Sequence, residues 1–362
     1  MSDIINNRFE IRFSSNITSS YIYSYIVPEI RKFYILKGKN KDIDLIWSFE
    51  DARYITANAL PLLLSLGQIL RDTRNKPTYI SMKYIPELLF FLYTARFFSI
   101  AKNSDIFSYN EDLIGGFGQS IGRKYRQEHL THVFKPDPIY PNLPKEEKEQ
   151  YRHIVVENVT RYLLFSGFNQ IVNDLESFSD ETLVSSCYGE IVANAILYSE
   201  SVSYLFAQTN TFGTNVSISD AGVGLASLDN KKKDNIDESL YMSIRDKYRG
   251  KGINDTFLGI LDMMEYSKHA MTRKIELADH SRNLWTIWKS IMHIKGSMWI
   301  HTNNVRIKFD GRYCNSQCRM ESFSECVDCL FTKQGFRYIE YPASLKGIHI
   351  EIYIPTKGRS ER

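Results

Sequence analysis

A glutamate and an asparagine stand four residues apart in Gly189-Glu190-Ile191-Val192-Ala193-Asn194-Ala195. Val184, Cys187 and Ile191 recur at helical spacing and Ala195 continues the stripe, so the stretch reads as a helix. Ser179 or Asp180 is placed to cap its start, with Glu181 in the first turn. Four apart on a helix, Glu190 and Asn194 emerge on one face. A carboxylate there can orient or deprotonate a water. A carboxamide oxygen can complete the octahedral shell of Mg2+, whose other ligands are usually waters and phosphate oxygens. Taken alone, such a pair is more often a surface acid beside an exposed or capping amide.

A second acid follows downstream. Val202 to Gln208 is rich in β-formers, Thr209 to Asn215 is a turn cluster, and Val216-Ser217-Ile218-Ser219 reads as the return strand. That strand runs into Asp220-Ala221-Gly222-Val223-Gly224. Glycines at alternate positions permit positive φ and let the backbone approach a ligand closely. An acid at a strand end can accept a hydrogen bond from an exocyclic amine, which adenine has and guanine lacks at the same position.

Glu-x-x-x-Asn-Ala followed by Asp-x-Gly-x-Gly resembles the N box and G1 box of the Bergerat-fold ATPases: gyrase, Hsp90, histidine kinases and MutL. The spacing is most similar to the branch of histidine kinases and anti-sigma-factor serine kinases. The resemblance implies ATP and Mg2+ as cofactors. It makes Asn194 the Mg2+ ligand, Glu190 the water-activating base and Asp220 the adenine-reading acid, with Gly222 and Gly224 in the loop beside the nucleotide. The polar segment Asp229 to Asp246 lies where the family has its mobile lid; Lys231-Lys232-Lys233 within it reads as a solvated run.

Two places compete for the family's second glycine box. Arg249-Gly250-Lys251-Gly252-Ile253 offers the N–H groups of Gly250 and Gly252 to phosphate, with Lys251 and Arg249 adding charge. Ser281-Arg282-Asn283-Leu284-Trp285 lacks glycine, but a helix from Trp285 to His293 and a strand from Gly296 to Thr302 follow it, as they follow the box in the family. Topology favours the second place; the box is then degenerate, and binding is better supported than hydrolysis. Val305 to Phe309 is expected to pair with the Gly296–Thr302 strand. Gly347 to Pro355 resembles the family's closing strand.

Cys314, Cys318, Cys326 and Cys329 form a late cluster, Cys-x-x-x-Cys then Cys-x-x-Cys. Four such thiols can surround one Zn2+ tetrahedrally, and structural zinc is the expectation, set against unliganded or redox-active thiols. Cys187 lies on an apolar stripe and reads as packed.

The elements that carry these residues must come from a chain of 362 residues, enough for two domains. In the first third, strands at Phe9–Phe13, Ile43–Phe49, Thr78–Met82 and Ile106–Tyr109 alternate with helices at Tyr21–Tyr34 (broken by Pro28), Ala59–Leu70 and Glu87–Phe98. Alternation of this kind implies an α/β layer. Its order, with a leucine-rich helix starting right after a loop, is similar to the STAS domain of anti-sigma-factor antagonists. Asn58 stands closest to the place of that family's phosphorylatable serine, so a phosphoswitch is not expected. The expected fold class is α/β: a STAS-like α/β domain over 1–118, a proline-rich linker over 119–150, and a two-layer α/β sandwich of Bergerat type over 151–358 with a Cys-rich insertion at 311–340. His129 and His153 lack the context of a phosphoacceptor histidine.

Lys+Arg at 45 against Asp+Glu at 42 gives +3, too balanced to argue for nucleic acid or a membrane surface. No apolar run reaches the ~20 residues of a membrane span, and no basic-then-apolar leader opens the chain. The expectation is a cytoplasmic, Mg-ATP-binding regulatory protein: an ATPase switch whose lid state a protein partner reads, compatible with a homodimer. The alternatives are a serine/threonine protein kinase of the anti-sigma-factor type and a non-catalytic nucleotide-sensing scaffold.

Overall fold

The structure, a computed structural model, describes residues 2–5, 7–38, 43–114, 131–166, 188–222, 224, 246, 254–261, 264, 284–314 and 323–355. The alternating first third forms strands β1 (Ser2–Ile5), β2 (Arg8–Arg12), β3 (Asn16–Ile17), β4 (Asp44–Ser48), β5 (Tyr54–Ile55), β6 (Thr78–Ser81) and β7 (Phe107–Tyr109). Five of them build a sheet in the order β1-β2-β4-β6-β7, parallel except at the β1–β2 edge, while β3 and β5 pair separately. Parallel neighbours need crossover connections, and helices supply them. These are α1 (Ser19–Tyr21) continuing through a π turn (Ile22–Ile26) into α2 (Val27–Lys37), then α3 (Ala59–Arg74), α4 (Pro86–Thr94) and α5 (Phe97–Asn103).

Two of these elements differ from expectation. Pro28 does not break its helix. The turn before it widens, Val27 N–H bonding Ile22 O, and Pro28 takes the first turn of α2, where its missing N–H matters least. The expected helix Glu87–Phe98 is instead α4 and α5, parted at Arg96, whose φ is 62°.

The second sheet is antiparallel: β8 (His132–Phe134), β9 (Ser203–Asn210), β10 (Gly213–Asp220), β11 (Ser297–Asp310) and β12 (Phe336–Pro355), in the order β11-β12-β10-β9-β8. Thus the stretch read as a linker contributes an edge strand. Val305–Phe309 does not fold back on the preceding strand. It continues β11, past an irregularity at Asn303 (φ 52°), and pairs with residues 336–340. Helices α6 (Lys145–Phe165), α7 (Glu190–Tyr198), α8 (Leu284–His293) and α9 (Phe323–Thr332) complete the described elements, with a helical turn over 255–261. The molecule is therefore mixed α/β, with one largely parallel and one antiparallel sheet.

Strand alternation gives the second sheet two faces. Val216, Ile218, Met298, Ile300, Ile350 and Ile352 share a core with α6, α7, α8 and the 255–261 turn. Tyr204 and Phe206, on the other face, belong to the core of the amino-terminal layer. Between the sheets lies α3, whose first half, Ala59 to Gly67, is buried all round and almost wholly apolar, while Asp72 and Thr73 in its second half are exposed. Gly67 leaves room for the Phe107 ring of the first sheet, and Gln68 accepts a 3.1 Å hydrogen bond from Tyr204 of the second.

Candidate functional site

Ile191 and Val192 of α7 pack on Leu205, Val216, Ile218, Ile350 and Ile352. That packing fixes the helix, and it puts Glu190 1% exposed at the helix start. A carboxylate so buried must be paired. The partner is Arg152 of α6: its Nη2 forms an ion pair with Glu190 Oε2 and donates to Asn194 Oδ1 at 3.2 Å. Glu190 and Asn194 therefore do converge on one point, and a guanidinium holds it. The Asn194 oxygen that the resemblance gives to Mg2+ is taken, so a divalent ion does not fit there as the side chains stand.

Asp220 lies at the end of β10, on the same strand face as Val216 and Ile218 and hence toward α7. Its Oδ1 accepts the Gly222 N–H at 2.8 Å. Burial pushes its pKa up to about 7, although the Gly222 and Ile348 N–H groups favour the charged form. Gly222 and Gly347 lie against it, and Gly224 lies against Gly347 in turn. A Cβ on Gly222 would overlap the Ser199 carbonyl at the end of α7, so the loop touches that helix directly. Gly224 (φ 76°) and Gly347 (φ 87°) hold left-handed conformations, and Gly347 packs on the Asp220 backbone. Thr302 Oγ1 donates to Gly347 O at 3.1 Å, where the β11–β12 register shifts.

The two acids thus stand near opposite ends of α7. Asn194 precedes Ser199 by five residues, roughly 7–8 Å along the axis at the helical rise. An elongated ligand lying along α7 could touch both ends. Asp137 N bonds Ile196 O at 3.0 Å, and the Tyr140 and Tyr198 hydroxyls meet at 2.8 Å, so the proline-rich stretch braces the same helix. Chain comparison adds no second line of support. No family model, characterised protein or solved structure matches this chain.

Gly250, Lys251 and Gly252 lie outside the described residues, as do Lys231 to Lys233 and Ser281 to Asn283. A helix follows each competing glycine-box place, the 255–261 turn after one and α8 after the other. Of the cysteines, Cys314 follows a 3-10 turn (Gly311–Tyr313), Cys326 and Cys329 lie on α9, and Cys318 is outside the described residues. Among the described residues no three His, Cys, Asp or Glu side chains are arranged to hold a metal. Nor is any helix among them long and apolar enough to cross a membrane.

Sequence reading missed Arg152, Thr302 and the site role of Gly347. Arg152 reaches Glu190 from another helix 38 residues upstream, a contact no local pattern encodes. Gly347 carried a signal: a lone glycine opening a strand of strict alternation marks a close backbone approach.

Proposed function

We propose that this chain is an adenine-nucleotide-binding regulatory protein with a Bergerat-type site along α7 and a STAS-like amino-terminal layer. The observation that carries the reading is Asp220: a buried acid at a strand end, flanked by Gly222 and Gly347, beside the carboxy-terminal end of the helix that bears Glu190 and Asn194. In its ionised form an acid placed so accepts from the adenine amine and offers nothing to the guanine carbonyl. Binding is favoured over turnover. Glu190 is neutralised by Arg152 and closed to solvent, so it cannot take a proton from water while the pair stands. The reading is that of a nucleotide-sensing switch which a protein partner reads.

Phosphotransfer to the start of α3 is the weaker reading. The position nearest the STAS-type acceptor is Asn58, which has no hydroxyl and spends its Nδ2 on Glu351 at 3.0 Å. Calorimetry of the full chain with ATP and GTP tests the proposal. ATP is expected to bind at least about tenfold more tightly than GTP, a difference of about 1.4 kcal/mol. Asp220→Asn should erase the preference, because its amide adds a donor where the amine must donate. Equal affinity for both nucleotides in the unaltered protein, or an unchanged preference in the Asn variant, would sink the reading.

A further inference from the structure

We infer that the cation of this nucleotide site is Arg152 itself, anchored by Glu190 and Asn194 in the place of a divalent metal, and that it receives the ligand's phosphate oxygens. The inference rests on the nucleotide reading above and deepens it.

Three observations converge. The carboxylate and carboxamide oxygens both point at Arg152 Nη2, so both are spent on an internal cation. Within the pair the arginine is the accessible partner: 11% of its side chain reaches solvent against 1% for Glu190. Of the two charged side chains, Arg152 is thus the one nearer to solvent. And α6, which carries Arg152, buries Val159 and Leu163 in the same core as Ile191 and Val192 of α7. The guanidinium is thus held on a packed helix rather than on a loop, as a preorganised phosphate contact should be.

The chemistry fits the role. A guanidinium carries five N–H donors in a planar fork that matches phosphate oxygens, with a charge that no physiological pH removes. Glu190 and Asn194 act on the ligand only through Arg152, so both are positioning residues. The guanidinium then offers N–H donors to the phosphates at the place where the resemblance puts the metal. The competing description is a buried ion pair with a purely structural role.

The two separate by titrating the full chain with ATP, once with excess Mg2+ and once with EDTA, and repeating both with Arg152→Gln and Arg152→Lys. The unaltered protein should bind ATP equally well in both buffers. Arg152→Gln should lose about tenfold or more in EDTA and regain part of that in Mg2+, because the vacated oxygens can then hold the metal. Arg152→Lys, which keeps the charge, should recover part of the metal-free binding. If ATP binds the unaltered protein only with Mg2+, the inference falls and the nucleotide reading survives. Metal-free binding untouched by Arg152→Gln also overturns it. Absence of ATP binding in both buffers sinks the nucleotide reading and the inference with it. Should Arg152→Gln fail to fold, the double variant Arg152→Gln/Glu190→Gln removes both charges of the pair together, and the same loss in EDTA is expected of it.

Discussion

Two arginine–glutamate pairs, each joined by an asparagine, lie on opposite faces of the antiparallel sheet. On the outer face Arg306 Nη2 meets Glu351 Oε1 at 2.8 Å, Asn58 donates to Oε2 at 3.0 Å, and His349 Nε2 donates to Oε1 at 3.1 Å. Arg306 also bonds Ser20 and lies over the Trp299 ring. Both carboxylate oxygens are engaged, and the cluster is sealed under the amino-terminal layer. On the helical face the asparagine accepts from the arginine instead of donating to the acid. There the cation collects two acceptors and stays the accessible partner. The same three residue types thus make a closed fastening in one place and a displayed cation in the other. What decides is the direction of the amide and which member of the pair is left nearest to solvent.

Titration draws the same line. Burial alone would raise the Glu351 pKa, but Arg306 and His349 reverse this and hold it at about 2. Asp220, buried on a neighbouring strand with no cation, sits at about 7. His301, stacked on Tyr23 with ring centroids 3.4 Å apart, is held well below the ordinary histidine value, first by burial and then by His349 and Arg306. It is therefore neutral in the folded protein at physiological pH.

The comparison breaks most visibly at Arg306. Arg306→Met strands a buried carboxylate and should cost about 3–5 kcal/mol, read as a lower midpoint in urea unfolding. Arg152→Gln likewise strands Glu190, which is only 1% exposed, and should cost a comparable amount; a clearly smaller loss would mean that solvent reaches Glu190 once the guanidinium is gone. Next, Asn58→Ala removes a hydrogen bond to a buried charge and should cost about 1.5–3 kcal/mol. A neutral effect would show that Glu351 does not need the tie to α3.

The smaller effects lie in the pH profile. A carboxyl whose pKa rises on folding binds protons more tightly when folded, so Asp220 should make stability fall as pH climbs from about 4 to about 7. Asp220→Asn should flatten that limb. Glu351 acts in the opposite sense: its contribution is complete above its unfolded value near 4.5 and is lost as pH falls toward 2. Urea midpoints measured from pH 3 to pH 8 check both signs, and a variant that leaves the slope between 4 and 7 unchanged would clear Asp220 of it.

Much of this was legible in the residues, and the parts that were not share a cause. The leucines of α3, the Thr209–Asn215 turn and the alternation at Gly347–Pro355 are local patterns, and each gave its element. Asn303-Asn304 carried an ambiguous signal. An asparagine in left-handed conformation serves a hairpin turn or a bulge equally well, and here β11 runs on through it. The break at Arg96 had no glycine to announce it. Within the site, the spacing of Glu190 and Asn194 correctly gave a shared face, but not what that face meets, because Arg152 arrives by the packing of α6 on α7. The cover over Glu351 and His301 was hidden for the same reason: outward positions on a strand look solvated until another layer lands on them.

The position of α3 has a mechanical consequence. Wedged between Phe107 on one side and Tyr204 on the other, it is buried from Ala59 to Gly67 and meets solvent only further along, at Asp72 and Thr73 among others. Close-packed interiors yield little, so a push on the first sheet is felt in the second without any hinge between them. Heating should accordingly melt the two sheets together, in a single transition.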